Sequence, residues 1–215
     1  KSLQAEMKKR LAADNVSLPI SAKKRGNQAA SAVTPFITAI GASAGGLEAF
    51  TQLLEVLPAK TGMVYVLIQH LEPNHPSQLR DLLAKVSEIP VLDGAEGMKV
   101  QPDHIYVIPP NVSMTVRNST LHLLPRKESG TPFLPVDIFL QSLAEDQHEA
   151  AIGVILSGTA NDGARGVESI KACGGITFAQ DRDSAKFSGM PMSAIRTGCI
   201  DFILTPAEIA QELAR

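Results

Sequence analysis

Tryptophan is absent from the 215 residues, and aromatic side chains make up only 4% of them. A platform for stacking nucleic-acid bases needs exposed rings, so no such surface is expected. Cysteine is nearly absent as well. Cys173 and Cys199 stand alone, in apolar contexts that predict burial, and they make no zinc framework. A reduced, cytoplasmic setting is the default expectation. No apolar run approaches the roughly 18 residues that span a bilayer, and no signal-peptide pattern is visible. Charge of one sign is lacking too: the net charge of -2 gives no general pull toward nucleic acid or anionic membrane. The chain opens at Lys1, which reads as the start of a fragment or a processed chain.

The rest is organised around residues 36–50. Phe36 to Ile40 read as a buried strand. A turn of small residues follows and holds one hydroxyl, Ser43. After it Leu47, Phe50, Leu53, Leu54 and Leu57 recur at helical spacing. Strand, glycine turn and helix set a helix N-terminus beside the serine, where free N–H groups hold developing negative charge. Gly41-Ala42-Ser43-Ala44-Gly45 fits the G-x-S-x-G form. Three readings compete: an incidental serine in a turn, a dinucleotide cradle, and a nucleophile. Ser43 stands where the middle glycine of G-x-G-x-x-G admits a pyrophosphate, which weakens the second. The third needs a histidine and a carboxylate.

Residues 1–34 differ in composition. Lys1, Lys8, Lys9, Arg10, Lys23, Lys24 and Arg25 face only Glu6 and Asp14. This reads as a basic flexible linker, with a short helix near Leu3 to Leu11. From residue 35 to 215 strand and helix patterns alternate, which predicts one domain with a doubly wound, mostly parallel α/β sheet and flanking helices. Met63 to Ile68 is the second strand and ends in Gln69-His70. Val91-Leu92 and Ile105 to Ile108 follow. Ser113 to Arg117 and Thr120 to Leu124 flank Asn118-Ser119, a predicted β-hairpin at the edge of the fold. Pro135 opens a helix with Val136, Phe139, Leu140 and Leu143 on its buried face. Ile152 to Leu156, Ile176 to Ala179 and Ile200 to Leu204 are further strands. Thr205-Pro206-Ala207-Glu208 spells a capping box before a last helix.

Ligands of an open parallel sheet bind outside the carboxyl ends of its strands. Four such ends carry chemistry: Ser43, His70, the loop with Asp162, and the loop with Asp181 and Met190. A serine, a histidine and a carboxylate on separate strand ends can build a triad. His75, His104, His122 and His148 are weaker candidates for the base, and Asp181 competes with Asp162, whose Asn-Asp-Gly setting equally suits a turn or helix cap. An ordinary α/β-hydrolase fits poorly, because its order is nucleophile, acid, histidine.

These motifs together carry a family resemblance. Gly-Ala-Ser-Ala-Gly-Gly at 41–46, Gln69-His70, Leu156 to Ala164 and Ala179-Gln180-Asp181 with Gly189-Met190-Pro191 resemble the CheB-type protein-glutamate methylesterase domain. The resemblance covers about Phe36 to Arg215. Phe133 to Asp137, with Ser142 to Asp146, resembles forms fused to a CheR-type methyltransferase. The resemblance implies a serine hydrolase that removes methyl esters from glutamates on the cytoplasmic helices of chemoreceptors, in chemotaxis adaptation, and that often deamidates receptor glutamines. It implies Ser43 as nucleophile, His70 as base and Asp162 as orienting acid, with Ala44, Thr159 and Met190 in the oxyanion and substrate loops. It implies no metal and no cofactor, no nucleic acid and no membrane insertion, and a fused or associated CheR-type partner. Three departures stand out. Thr159 occupies a position where the family often has methionine. His70 is followed by Leu71-Glu72-Pro73 instead of Met-Pro. No receiver domain precedes Phe36 within these residues. The rival from another class is a non-catalytic nucleotide-binding or regulatory module using Gly41 to Gly46.

Overall fold

The computed structural model describes residues 35–69, 78–126 and 133–215. The proposed linker, its short helix, His70 and His75 lie outside the described residues.

β1 (Ile37–Ala42) and β2 (Val64–Gln69) are continuous apolar runs because both of their faces are covered. Side chains alternate between the faces. Ile40, Tyr65 and Leu67 point into one core, while Ile37, Ala39, Val64, Val66 and Ile68 point into the other. The remaining strands of the main sheet are β3 (Val91–Asp93), β4 (His104–Val107), β7 (Ala151–Ile155), β8 (Ile176–Gln180) and β9 (Phe202–Leu204). Their order is β3-β4-β2-β1-β7-β8-β9, and every pair is parallel. The chain passes from β1 to β2, then to the edge strand β3 and back to β4 between them, and crosses to β7 on the other side of β1. The switch point of the topology is therefore the crevice between β1 and β7, where such sheets bind their ligands.

Three helices cover the first core: α1 (Gly46–Leu54), α2 (Leu79–Leu83) and α6 (Pro206–Leu213). Phe50, Leu53, Leu83, Ile209 and Leu213 are buried there. α3 (Pro135–Gln147), α4 (Ala164–Ala172) and α5 (Gly189–Arg196) cover the second. Val136, Phe139, Leu140 and Leu143 of α3 are fully buried, as their spacing predicts; each such side chain contributes about 1.5–3 kcal/mol of burial. The capping box at Thr205 and Glu208 forms with both reciprocal hydrogen bonds.

The predicted hairpin is present: β5 (Val112–Arg117) and β6 (Thr120–Pro125) form a two-stranded sheet of their own. Asn118 and Ser119 both adopt positive φ, at 50° and 54°, which closes it with a two-residue turn of the primed kind. Met114, Val116 and Leu121 sink into the second core, and Asp146 near the end of α3 accepts the N–H groups of Asn118 and Ser119. Leu47 is 39% exposed instead of lying on the buried face, because α1 begins only at Gly46 and its first turn stands at the rim of the sheet. Cys173 and Cys199 are half-buried, since each sits in a chain turn after a helix end and not within a strand. His104 is not in the turn before β4 but is its first residue, and its Nδ1 lies 2.9 Å from the Pro102 carbonyl oxygen.

Candidate active site

Ser43 follows directly on β1 and is half-buried. Its N–H donates to the Ser157 carbonyl at 3.0 Å, and its own carbonyl accepts the Gly46 N–H at 2.9 Å. The turn into α1 thus hangs on the strand that flanks β1 across the switch point. Gly45 makes the turn with φ 73° as the residue before α1, a conformation that glycine adopts without strain.

Ser157 ties three segments together, a role the sequence did not reveal. It is 1% exposed. Its N–H donates to Gln180 Oε1 at 2.8 Å, and its Oγ donates to the Ala44 carbonyl at 2.9 Å and accepts the Phe187 N–H at 3.1 Å. The Ser43 turn, the end of β7 and the loop before α5 are locked by one hydroxyl. The signal available in the sequence was a serine directly after a buried strand, together with a glutamine ending β8. Buried polar groups of that kind must find partners.

Gly158 is next. A Cβ on it would lie 2.1 Å from Met190 Sδ and 3.1 Å from Ser43 Cβ, so only glycine fits between them. Met190 is 1% exposed. It therefore supports Gly158, and through it Ser43, while Thr159 is exposed beside them. Ala44 is half-buried in the turn itself.

Asp162 is 3% exposed. Its two oxygens accept the N–H groups of Val136 at 3.0 Å and Asp137 at 2.9 Å. Pro135 opens α3 and has no N–H, so these are the first amides the helix offers. A carboxylate there is held in one orientation by the two amides. The turn-or-cap reading of Asn-Asp-Gly was thus half right: Asp162 does cap a helix, but a distant one and not its own. Asp181, the competitor, spends its oxygens within its own loop, on the N–H groups of Asp183 and Ser184 and the Ser184 hydroxyl. Desolvation works to raise its carboxyl, yet these hydrogen bonds outweigh it and hold it below the ordinary range.

β1, β2, β7 and β8 are adjacent, so the strand ends that lead to Ser43, Asp162 and Asp181 open on one rim. Gln69, the last described residue of β2, pairs with Ala42. Of the other histidines, His122 lies far along the hairpin against Glu96, and His148 follows α3 at the opposite end from Asp162. Among the described residues no group of three or more His, Cys, Asp or Glu is placed to hold a metal ion. No described helix is long and apolar enough to cross a membrane.

Comparison with known proteins identifies the family. Residues 38–213 match the CheB methylesterase family. The protein-glutamate methylesterase/protein-glutamine glutaminase of Salmonella typhimurium is 32% identical over 181 residues, covering 82% of this chain and 52% of its own. A putative enzyme of the same name from Leptospira interrogans is 30% identical, with 82% and 92% covered. An uncharacterized 104.1 kDa protein of Rhodobacter capsulatus is 41% identical over 126 residues, of which this chain spans only 13%. The chain thus spans about half of the Salmonella relative and nearly all of the Leptospira one. Among solved structures, the CheB methylesterase catalytic domain of Thermotoga maritima superposes with a TM-score of 0.77 at 28% identity, covering 85% of this chain and 98% of that one. With the same parallel sheet and a family match running from β1 to the last helix, the chain belongs to the CheB methylesterase family.

Proposed function

We propose that this domain is a serine esterase that removes methyl esters from glutamate side chains of chemoreceptors, with Ser43 as nucleophile, His70 as general base and Asp162 as the acid that orients the histidine. The observation that carries the reading is the pairing of Ser43, at the end of β1, with a buried carboxylate on the loop after β7, fixed by two helix amides. In this scheme Ser43 Oγ attacks the ester carbonyl and its proton passes to His70. The oxyanion is met by the Ala44 N–H and the start of α1. The tetrahedral adduct collapses and methanol leaves with the proton from His70. Water, deprotonated by His70, then attacks the acyl-serine and releases glutamate and the free hydroxyl. A glutamine side chain follows the same route with ammonia as the leaving group. The steps draw on side chains and backbone amides alone. The substrate would be the methylated cytoplasmic helices of receptors, with a CheR-type methyltransferase fused or associated, residues 1–34 as a tether, and the cytoplasm as the place of action.

The nucleotide-binding alternative has less support. A phosphate cradle needs open glycine backbone, but Gly45 is covered: a Cβ there would lie 2.7 Å from Ser157 Oγ and 3.3 Å from the Phe187 ring. Two measurements test the proposal. Methanol release from a methylated receptor fragment is expected to vanish in Ser43→Ala while the melting temperature stays near wild type, and an organophosphonate is expected to label Ser43. Turnover retained at the wild-type rate would remove Ser43 from the mechanism.

A further inference from the structure

Beside Asp162 stands a second buried acid that the proposed chemistry does not use. Asp137 is 4% exposed and lies in the first turn of α3. Its Oδ1 accepts the Gly166 N–H at 2.8 Å in the first turn of α4. Asp162, just before α4, meanwhile accepts the amides that open α3. Each carboxylate therefore serves the helix to which the other belongs. Neither helix has a side-chain cap of its own, since Leu134 and Gly163 occupy the cap positions. This exchange supplies side-chain acceptors to both N-termini.

We propose that Asp137 is a positioning residue for Asp162: by holding the amide of Gly166 it fixes the segment that carries Asp162 against α3, and so fixes the direction of the Asp162 carboxylate. This rests on the reading of Asp162 as the orienting acid. The amide it holds lies four residues beyond Asp162, close enough that its freedom would be shared by the acid. Burial works against a charged group here and raises the Asp137 carboxyl, with the neighbouring charge of Asp162 adding to the effect and the Gly166 hydrogen bond opposing it. A second acid beside the first is thus a poor device for stability and a good one for holding the start of α4 in place.

The test is a double-mutant cycle on the whole 215-residue chain, with methanol release from a methylated receptor fragment as the readout. Asp137→Ala is expected to lower kcat by about tenfold to a hundredfold, the scale of a misplacement near one ångström, with KM little changed. Asp137→Asn, which keeps an acceptor for Gly166, is expected to recover part of that loss, and it takes the place of Asp137→Ala in the cycle should the latter not fold. In an Asp162→Asn background the same change is expected to cost nothing further, because the group it positions has already been disabled. Equal losses in both backgrounds, a rise in KM alone, or an unchanged kcat would each overturn the positioning role. Normal turnover in Asp162→Asn by itself would instead overturn the reading of Asp162, and this inference with it.

Discussion

Asp137, Asp162 and Asp181 are three acids on one rim with three different surroundings, and the differences are measurable. Asp162 is held by two amides of α3, whereas Asp181 is occupied by its own loop. Under the proposed mechanism Asp162→Asn keeps the shape but would hold the wrong histidine tautomer, so kcat is expected to fall by roughly 10⁴-fold, as in the serine-protease case. Asp181→Asn is expected to leave kcat near wild type. Collapse of turnover in Asp181→Asn, with Asp162→Asn active, would transfer the role. Asp137 gives a pH signature. Its carboxyl is raised by burial first and then by the charge of Asp162, so folding favours its protonated form. That contribution is complete below the unfolded value, about 3.9, and is lost as pH rises through the raised folded value. Asp137→Asn resembles the protonated form. Its Tm relative to wild type is expected to climb as pH is raised from acid to neutral, and a difference flat with pH would contradict the assignment. At Ser157 the outcome is one of stability. Ser157→Ala strands the Phe187 N–H and the Ala44 carbonyl, at a cost of about 1–3 kcal/mol for a buried polar group left unpaired, read from urea unfolding.

Helices and strands were largely legible, and the reason is their two-sided burial. The α3 face of Val136, Phe139, Leu140 and Leu143 and the runs of β1, β2 and β7 are patterned by the core alone, so composition and period reveal them. The Thr205 box is local and was readable for the same reason. What escaped depends on segments far apart in sequence: the placing of the hairpin on α3, the Ser157 lock and the exchange of caps between α3 and α4. No period encodes a hydrogen bond between residues more than twenty positions apart. The serine turn and the Asp162 loop could be picked out as candidates, but the partner of Asp162, the start of α3, could not. One contact between elements connects this to function. A Cβ on Gly41 would lie 2.3 Å from Val136 Cγ1, so Gly41→Ala forces β1 and the start of α3 apart. The expected cost is about 1–3 kcal/mol of overpacking, together with a loss of turnover as the amides that hold Asp162 shift. Adding Val136→Ala restores the space and is expected to return part of both; turnover in Gly41→Ala equal to wild type would show that α3 does not set the acid.

For the molecule as a whole, the described residues beyond the proposed tether already form two cores, one on either side of the sheet, and the family match begins at Thr38. Deleting residues 1–30 is expected to leave methanol release within a few-fold of the full chain; loss of both folding and activity would show that the segment packs on the domain. The lock at Ser157 has a kinetic consequence. Its hydroxyl reaches the Ala44 carbonyl across 113 positions of chain, and the central pair β1–β7 joins Ile37 to Ala151. Such pairings are entropically late, because a long loop must close before they reward it. The serine turn therefore acquires its final shape only when the second half of the chain has docked. During synthesis the first hundred residues carry Ser43 without its assembled surroundings, and the proposed hydrolytic power would arrive with the last long-range closure instead of growing in step with helix content.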